Sequence, residues 1–251
     1  MLAIGLFGFG RTGSIVANEI IKDKECELRW VVRKSSIHEG EYASHLLNQD
    51  HEEGKIFSLN NIDFESFYKE NQVDVIIDFS ASCAVNEYYW AGQRGVRIVS
   101  AISSYDEKDF EQLRILSCNT AVLYAPNITF GINFLIGVSK LLQQLAPQSN
   151  IEIIEEHYQD KKGISGTALR IAESLNLDKD KYVHSVRVSD IVGKHEVIFG
   201  LPHQTIRITH ESTTRSAFGQ GAIHGAKFIM TKKNGLYSME QALSFSVADK
   251  E

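Results

Sequence analysis

The chain begins with an apolar run that leads into closely spaced glycines: LAIGLFGFGRTG, residues 2–13. The run Leu2–Phe7 indicates a buried strand, and apolar residues at helical spacing follow over residues 14–22. In a G-x-G-x-x-G turn between strand and helix, the glycines allow a tight turn, close approach of a pyrophosphate, and tight helix packing. The pattern predicts a dinucleotide site formed by Gly8, Phe9, Gly10, Arg11, Thr12 and Gly13. A packing turn in an α/β domain with some other ligand is the alternative.

Strands and helices alternate along the rest of the first half. Apolar, strand-like runs are predicted at residues 28–32, 73–79, 96–102 and 121–125, and helical segments separate most of them. The helix predicted from Val85 to Arg94 is one of these segments. Such alternation favours a Rossmann-type α/β domain, in which helices cover both faces of a parallel sheet.

The second half has a different pattern. β-branched, strand-like runs at residues 151–157, 183–190, 196–199 and 205–210 surround one helix predicted over residues 166–175. This pattern is typical of an α+β domain with a mixed or antiparallel sheet. Helix returns from residue 216, and Ser238-Met239-Glu240-Gln241 resembles a capping box. We place the domain boundary near residue 129.

Composition excludes several functional classes. The 251 residues are 43% hydrophobic and 23% charged, which is an ordinary globular profile. The formal net charge of −6 argues against a nucleic-acid-binding face, and no apolar run approaches the length of a membrane span. Cys26, Cys83 and Cys118 fit the reducing cytoplasm better than a disulfide framework. His45 and His51 lack the spacing of metal ligands, so no metal site is predicted.

The end of the second strand bears on the choice of cofactor. An NAD site usually has an acidic residue there for the ribose hydroxyls, whereas an NADP site has arginine nearby. This chain has Arg33 and Lys34, followed by two serines and no acid. We therefore expect NADPH to be preferred, with NADH possible. A solvated basic turn is the alternative interpretation.

A second group of polar residues begins at the strand that ends in His157. A short loop carrying Lys161 follows, and Ser165 is the expected N-cap of the next helix. A helix N-terminus opposite a lysine can bind a carboxylate, and a histidine beside it can supply a proton at neutral pH. An ordinary strand–loop–helix unit with surface charges is the alternative.

These segments resemble the dihydrodipicolinate reductase family, whose motif runs E-x-H-H-x-x-K-x-D-A-P-S-G-T-A. The matching residues are Glu155, His157, Lys161 and Ser165-Gly166-Thr167-Ala168. Residues 78–80, 125–133, 191–200 and 208–218 resemble further family motifs in the family's order. The resemblance covers nearly the whole chain.

The resemblance implies NAD(P)H-dependent reduction of 4-hydroxy-tetrahydrodipicolinate to tetrahydrodipicolinate, in lysine and diaminopimelate biosynthesis. His157 would be the general acid, and Lys161 would assist protonation and bind a carboxylate of this small dicarboxylate substrate. Gly166 and Thr167 would hold a carboxylate at the helix N-terminus. The implied cofactor contacts, besides those above, are Phe79, Ser80, Ala101, Ile102, Ser103, Ala125, Pro126, Asn127, Ile128, Arg215 and Phe218.

The resemblance also implies roles for the two domains. Residues 1–129, completed by C-terminal helices from 216–251, would bind the dinucleotide. Residues 130–215 would bind substrate and join the chains into a homotetramer. Arg215 and Phe218 could equally pack at the edge of a core, and we interpret His195 and His210 as structural residues with satisfied hydrogen bonds.

Three departures from the family pattern leave the substrate open. Tyr158 replaces the second histidine, Gly163 and Ile164 replace D-A-P, and Ala101-Ile102-Ser103-Ser104 replaces G-T-T-G. A paralogous reductase of another cyclic imine or unsaturated dicarboxylate is one alternative. A non-catalytic dinucleotide sensor is the other, and the retained histidine and lysine disfavour it.

Overall fold

The computed structural model describes residues 1–243, and they fall into two compact units. The first unit comprises residues 1–128 and 218–242, and the second comprises residues 129–217. The end of the predicted C-terminal helical segment, beyond residue 243, lies outside the described residues. No helix in residues 1–243 is both long enough and apolar enough to span a bilayer.

Eleven strands and ten α-helices make up the described fold. The strands are β1 (Leu2–Phe7), β2 (Cys26–Arg33), β3 (Lys55–Ser58), β4 (Val75–Asp78), β5 (Arg97–Ser100), β6 (Ala121–Tyr124), β7 (Asn150–His157), β8 (Val183–Arg187), β9 (Lys194–Leu201), β10 (Gln204–Glu211) and β11 (Gly235–Ser238). The helices are α1 (Arg11–Lys22), α2 (Ala43–Leu46), α3 (Phe64–Glu70), α4 (Tyr89–Gln93), α5 (Glu107–Asn119), α6 (Phe130–Leu145), α7 (Gly166–Ser174), α8 (Lys179–Tyr182), α9 (Ser216–Ile229) and α10 (Met239–Ala242). Two 3₁₀ helices span Leu59–Asn61 and Ser82–Tyr88.

The first unit is built on a seven-stranded parallel sheet with the order β11-β6-β5-β4-β1-β2-β3. From β1 the chain adds strands toward one edge, and from β4 it adds them toward the other. The central strands are mostly apolar, with β4 fully buried and β1 buried over its last four residues, because helices cover both faces, as a parallel sheet requires. This order is that of a Rossmann-type domain, so the predicted fold class is confirmed. The reversal places a crevice at the carboxyl ends of β1 and β4.

The second unit contains a four-stranded mixed sheet with the order β10-β9-β7-β8. β7 pairs parallel with β8 and antiparallel with β9, which pairs antiparallel with β10. Apolar residues of α6 and α7 pack on one face of this sheet and form the core of the unit. The prediction of a second domain with a mixed sheet is therefore confirmed.

Several elements differ from the predictions, and the short helices α2, α8 and Leu59–Asn61 were not predicted. β3 was not predicted, and β11 lies in a segment assigned to helices, where it pairs parallel with β6. Both are four-residue strands, and pairing with a neighbour rather than local pattern stabilises them. The helix predicted from Val85 to Arg94 is instead a 3₁₀ helix followed by α4. The capping box is confirmed, since the Ser238 N–H donates to Gln241 Oε1 at 2.8 Å.

Candidate active site

The glycine turn after β1 has the geometry that dinucleotide binding requires. Gly8 has φ +95°, and a Cβ atom there would lie 2.8 Å from the Phe79 carbonyl oxygen. A Cβ atom on Gly13 would overlap the carbonyl oxygen of Gly8, whereas one on Gly10 would meet nothing within 4 Å. Two glycines are thus required by the fold. The space at Gly10 is open to a ligand.

The N-terminus of α1 is suited to an anion. Gly10 is its N-cap, and no side chain makes a capping hydrogen bond there. The first N–H groups of a helix have no partner within the helix, and the helix dipole favours negative charge at that end. The turn and the helix together fit a pyrophosphate group.

The other cofactor segments predicted in the first unit lie at the same edge of its sheet. Arg33 ends β2, and Lys34 follows it in an exposed position. The remaining segments follow β4 (Phe79 and Ser80), β5 (Ala101, Ile102 and Ser103) and β6 (Ala125, Pro126, Asn127 and Ile128). The carboxyl ends of parallel strands share one edge, so the sheet brings these segments to one side of the unit.

Backbone hydrogen bonds hold the first residue of these loops in place. The Phe79 N–H donates to Phe7 at 2.9 Å, and the Ala101 N–H donates to Asp78 at 2.9 Å. The Ala125 N–H donates to Ser100 at 2.8 Å. The backbone hydrogen bonds between neighbouring strands therefore continue one residue beyond each strand, and this fixes where the loops begin.

Asp78, at the end of β4, is a buried carboxyl that belongs to a resembling motif but was given no role from the sequence. Its Oδ1 accepts hydrogen bonds from the N–H and the hydroxyl of Ser80 at 2.8 and 2.5 Å. Burial raises the pKa of Asp78 to about 7, although the bonds from Ser80 oppose the shift. This carboxyl holds the loop that begins at Phe79.

Arg215 and Phe218 lie at the start of α9. Arg215 immediately precedes the helix and belongs to the second unit, and Phe218 lies in its first turn and belongs to the first. Both side chains are partly exposed.

In the second unit, the buried face of β7 changes from apolar to polar along the strand. Every second residue of β7 is buried, first Ile151 and Ile153, then Glu155 and His157. Glu155 lies opposite Ser185 of β8 and opposite His195 of β9. The core of the unit therefore ends in a row of polar side chains at the start of the loop after β7.

Glu155 is the centre of a hydrogen-bond network. It is fully buried, and its Oε2 makes a short hydrogen bond with Nδ1 of His157. The guanidinium of Arg187 binds both carboxylate oxygens, at 3.0 and 2.6 Å. The Ser185 hydroxyl donates to Oε1 at 2.6 Å, and the Ser165 N–H donates to the same oxygen at 3.3 Å.

The loop after β7 leads into the N-terminus of α7. Lys161 is partly exposed, and its N–H donates to the Tyr158 carbonyl at 3.1 Å. Ser165 is the N-cap, as predicted, since its Oγ accepts from the Ala168 N–H at 3.0 Å. Gly166 is exposed, and a Cβ atom there would meet nothing within 4 Å. Thr167 is partly buried beside it, so this end of α7 can receive an anionic group.

The ionisable groups of this network have shifted pKa values. Burial opposes ionisation of Glu155, but hydrogen bonds from Arg187, Ser185 and His157 outweigh it and lower the pKa to about 2. Burial lowers the pKa of His157, and the carboxylate of Glu155 opposes the shift. Burial also lowers the pKa of His195 to about 3. Both imidazoles are therefore neutral at neutral pH in the free protein.

The structure corrects the interpretation of His195 and His210 as structural residues with satisfied hydrogen bonds. His195 is buried, its Nε2 lies 3.0 Å from Ser165 Oγ, and its ring centroid lies 5.2 Å from that of His157. Nδ1 of His195 and Nδ1 of His210 are both buried without a hydrogen-bond partner among the described residues. Pairing of β7 with β9 brings His195 to the site, and such pairing cannot be derived from local pattern.

Comparisons with known proteins identify the family of this chain. Residues 2–128 match the family model described as dihydrodipicolinate reductase, N-terminus, and residues 131–243 match the model for its C-terminus. The chain belongs to the dihydrodipicolinate reductase family. The resemblance inferred from the sequence is thereby confirmed, and the chain is an oxidoreductase of a family that uses NAD(P)H.

Individual relatives span the chain to different extents. The 4-hydroxy-tetrahydrodipicolinate reductase of Caldanaerobacter subterraneus subsp. tengcongensis is 35% identical over 193 residues, which cover 68% of this chain and 77% of the relative. The enzyme of the same name from Helicobacter hepaticus is 30% identical over 268 residues, covering 97% and 99%. A solved structure, dipicolinate-bound dihydrodipicolinate reductase from Paenisporosarcina sp. TG-14, has a TM-score of 0.80 at 22% identity, covering 96% and 99%. That structural match shows the fold.

Proposed function

We propose that this member of the dihydrodipicolinate reductase family reduces 4-hydroxy-tetrahydrodipicolinate to tetrahydrodipicolinate with NAD(P)H. The observation that carries the proposal is the arrangement at the end of β7. There His157 and Lys161 lie in one unit with the open N-terminus of α7. The proposed pathway is lysine and diaminopimelate biosynthesis in the cytoplasm.

The substrate class follows from the charges of this site. Lys161 and the first N–H groups of α7, at Gly166 and Thr167, offer two positions for carboxylates. Dipicolinate, the ligand of the solved relative, is a planar ring with two carboxylates. A small cyclic dicarboxylate therefore fits the proposed roles of these residues.

Substrate binding would change the protonation of His157. Its pKa is lowered in the free protein because the imidazole is buried. Two substrate carboxylates nearby would favour the charged imidazole and raise the pKa. A proton would then be held at Nε2, because Nδ1 is engaged by Glu155. The 4-hydroxyl group of the substrate would leave as water. Bound NAD(P)H would then supply the hydride to the resulting conjugated ring, and His157 with Lys161 would supply the proton and hold the substrate.

The dinucleotide site is proposed to comprise residues 1–129 with the C-terminal segment from residue 216. Its contacts would come from the glycine turn and from the loops at the carboxyl edge of the sheet. Arg215 and Phe218 are proposed to lie near the nicotinamide. Residues 130–215 would then bind substrate and join the subunits.

A coupled assay tests the reaction. Dihydrodipicolinate synthase generates the unstable substrate in the cuvette, and oxidation of NADPH is followed at its absorbance maximum. We expect oxidation that depends on both the synthase and this protein. No oxidation above the synthase-only rate would contradict the proposed substrate.

NADPH is expected to bind more tightly than NADH. Arg33 and Lys34 stand at the end of β2, where an acidic residue would repel a 2′-phosphate. Each charge-assisted contact contributes about 1.5–3 kcal/mol. Dissociation constants for both cofactors should differ by about tenfold or more in the wild type, and Arg33→Asp should remove the difference. Equal wild-type affinities would contradict the preference.

The second unit is expected to join four chains into a homotetramer. α6 and α7 cover one face of its sheet, and the other face carries partly exposed Ile154 and Ile198 among cross-strand ion pairs. β10 and β8 also leave two strand edges that another chain could cover. Light scattering should give a mass near four times 28.2 kDa. A monomer at micromolar concentration would refute this.

A paralogous reductase is the second candidate, and Tyr158 is the observation that favours it. This side chain is 42% exposed at the start of the substrate loop. A phenol is a neutral donor, whereas the imidazole that the family motif has there can carry positive charge. A neutral contact in place of a charged one weakens carboxylate binding by about 1 kcal/mol, or several-fold.

Tyr158→His is therefore expected to lower KM several-fold for the dicarboxylate substrate, with kcat little changed. Steady-state kinetics in the coupled assay measure both parameters, and His157→Gln provides an inactive reference. Loss of activity in Tyr158→His would mean that the phenol has its own role. The paralogue would then replace the main proposal.

A further inference from the structure

We propose that Glu155 and Arg187 are positioning residues that hold His157 and Lys161 as one unit. Glu155 fixes the proton of His157 on Nδ1, and Arg187 ties the loop carrying Lys161 to the same carboxylate. The inference rests on the proposed function, in which His157 and Lys161 contact the substrate. It assigns roles to two residues for which the sequence motif alone gave none.

Arg187 has no hydrogen-bonding capacity left for a substrate. A guanidinium has five N–H donors, and each has an acceptor here. Nε donates to the Lys161 carbonyl at 3.0 Å, and Nη2 donates to the Gly163 carbonyl at 2.6 Å. Nη1 donates to the Val186 carbonyl at 2.8 Å, and the two remaining donors bind Glu155. Arg187 therefore acts on the loop and on Glu155, not on the ligand.

Glu155 is saturated in the same way. Oε1 accepts from Arg187, Ser185 and the Ser165 N–H, and Oε2 accepts from Arg187 and His157. A carboxylate offers about four lone-pair positions, so none remains for a substrate. Arg187 and the Ser165 N–H can only donate, and the guanidinium binds both oxygens, so the carboxyl is ionised. Its pKa of about 2 agrees with this.

An ionised carboxylate can only accept, so the bond from His157 settles the tautomer. The proton of the neutral imidazole must lie on Nδ1, and Nε2 is left as the atom that exchanges a proton. A Cβ atom on Gly193 would lie 3.0 Å from this Nε2, so the glycine keeps the approach open. The same logic governs other histidines oriented by a carboxylate.

The loop after β7 needs such an external support. Residues 158–164 contain no proline, and Gly163 has φ +65°, a conformation that costs glycine little but does not restrain the chain. Two of its carbonyls, at Lys161 and Gly163, are bound by Arg187. The guanidinium thus fixes Lys161 relative to His157, with Glu155 between them.

A tautomer measurement tests the first half without any substrate. ¹⁵N–¹H correlation spectra of the ligand-free protein report which imidazole nitrogen carries the proton, and His157→Gln identifies the signals of His157. At pH 8 we expect the Nδ1–H form in the wild type. Glu155→Gln should mix the two tautomers, because an amide can also donate. A wild-type Nε2–H form would overturn the proposal even if either variant failed to fold.

Kinetics test the second half, with Glu156→Gln as the matched control. Glu156 is the next residue of β7, points to the opposite face, and pairs with Lys194 at 2.7 Å. Glu155→Gln is expected to lower kcat by at least about tenfold, and Glu156→Gln to leave it unchanged. Arg187→Lys should raise KM at least about tenfold. A lysine has three N–H donors on one atom, so it cannot bind both Glu155 oxygens and the carbonyls of Lys161 and Gly163 at once. NADPH affinity should stay at the wild-type value in all three.

The pH profile separates positioning from a general loss of structure. The charged or titratable groups facing His157 are Glu155 on its own strand, Lys161 in the loop, Arg187 on β8 and His195 on β9. Removing the charge of Glu155 removes the group that favours the charged imidazole, so the alkaline limb of kcat should move to lower pH in Glu155→Gln. A fall in kcat with an unchanged profile and tautomer would overturn the proposal. Inactivity of the wild type would instead reject the substrate, and the tautomer result would stand.

Discussion

His157→Gln is expected to lower kcat by about a hundredfold or more, the usual contribution of a general acid. Glutamine keeps a polar side chain of similar reach but cannot hold or release a proton near neutral pH. The buried network should persist, because the side chain can still donate to Glu155 from its amide. The measurement is the coupled assay, with NADPH affinity determined separately by fluorescence titration.

Lys161→Ala is expected to cause a loss of similar size in kcat, together with a higher KM. The alanine variant lacks the ammonium proposed to bind a carboxylate, whereas the backbone carbonyl held by Arg187 is retained. The loop should therefore keep its path, and the effect reports the side chain. Lys162→Ala, at the exposed neighbouring position, is the matched control and should behave as the wild type. Wild-type activity in His157→Gln or Lys161→Ala would mean that this loop is not the catalytic one.

The pH dependence of the wild type adds a second measurement of the same acid. A general acid must be protonated, so activity falls as the pH rises through its pKa. kcat/KM reports the free enzyme, in which burial lowers the pKa of His157 below its ordinary value. kcat reports the substrate complex, in which two added carboxylates raise it. The alkaline limb of kcat/KM should therefore lie at lower pH than that of kcat, and His157→Gln should lack both.

The sequence predicted the elements whose signals are local. The glycine turn lies between a strand and a helix as expected, and Ser165 caps α7, because both motifs depend on residues within one turn. Alternating strands and helices gave the parallel sheet, since crossover connections between parallel strands require helices. The family motif placed His157 and Lys161 together for the same reason: five residues of chain contain both.

The missed residues depend on pairing between strands distant in sequence. Arg187 reaches Glu155 because β8 pairs with β7, and His195 reaches Ser165 and His157 because β9 pairs with β7 on the other side. A shift of one residue in either register would turn these side chains to the opposite face. Register is set by the whole sheet, so no local pattern around Arg187 or His195 could reveal their partners. For Glu155 the sequence did offer a signal. It lies two positions before His157 on the same strand, so both side chains point to the same face.

Gly10→Ala and Gly13→Ala are expected to separate cofactor binding from folding in the glycine turn. Gly10 has φ −92° and ψ −160°, which alanine adopts without strain, and its Cβ atom would meet no protein atom within 4 Å. The free energy of unfolding of Gly10→Ala should therefore stay within about 0.5 kcal/mol of the wild-type value. In Gly13→Ala the Cβ atom would overlap the Gly8 carbonyl oxygen. That crowding should cost about 1–3 kcal/mol of stability.

Although Gly10→Ala should hardly change stability, it should weaken the binding of NADPH. The open space at Gly10 is where a pyrophosphate would approach the N-terminus of α1, and a methyl group there would hold the phosphates away from the N–H groups. Loss of one charge-assisted hydrogen bond costs about 1.5–3 kcal/mol, so NADPH affinity of Gly10→Ala should fall at least about tenfold. Denaturant unfolding gives the stability of each variant, and fluorescence titration gives the dissociation constant. If Gly10→Ala bound NADPH as tightly as the wild type, the open space beside Gly10 would not be the phosphate site.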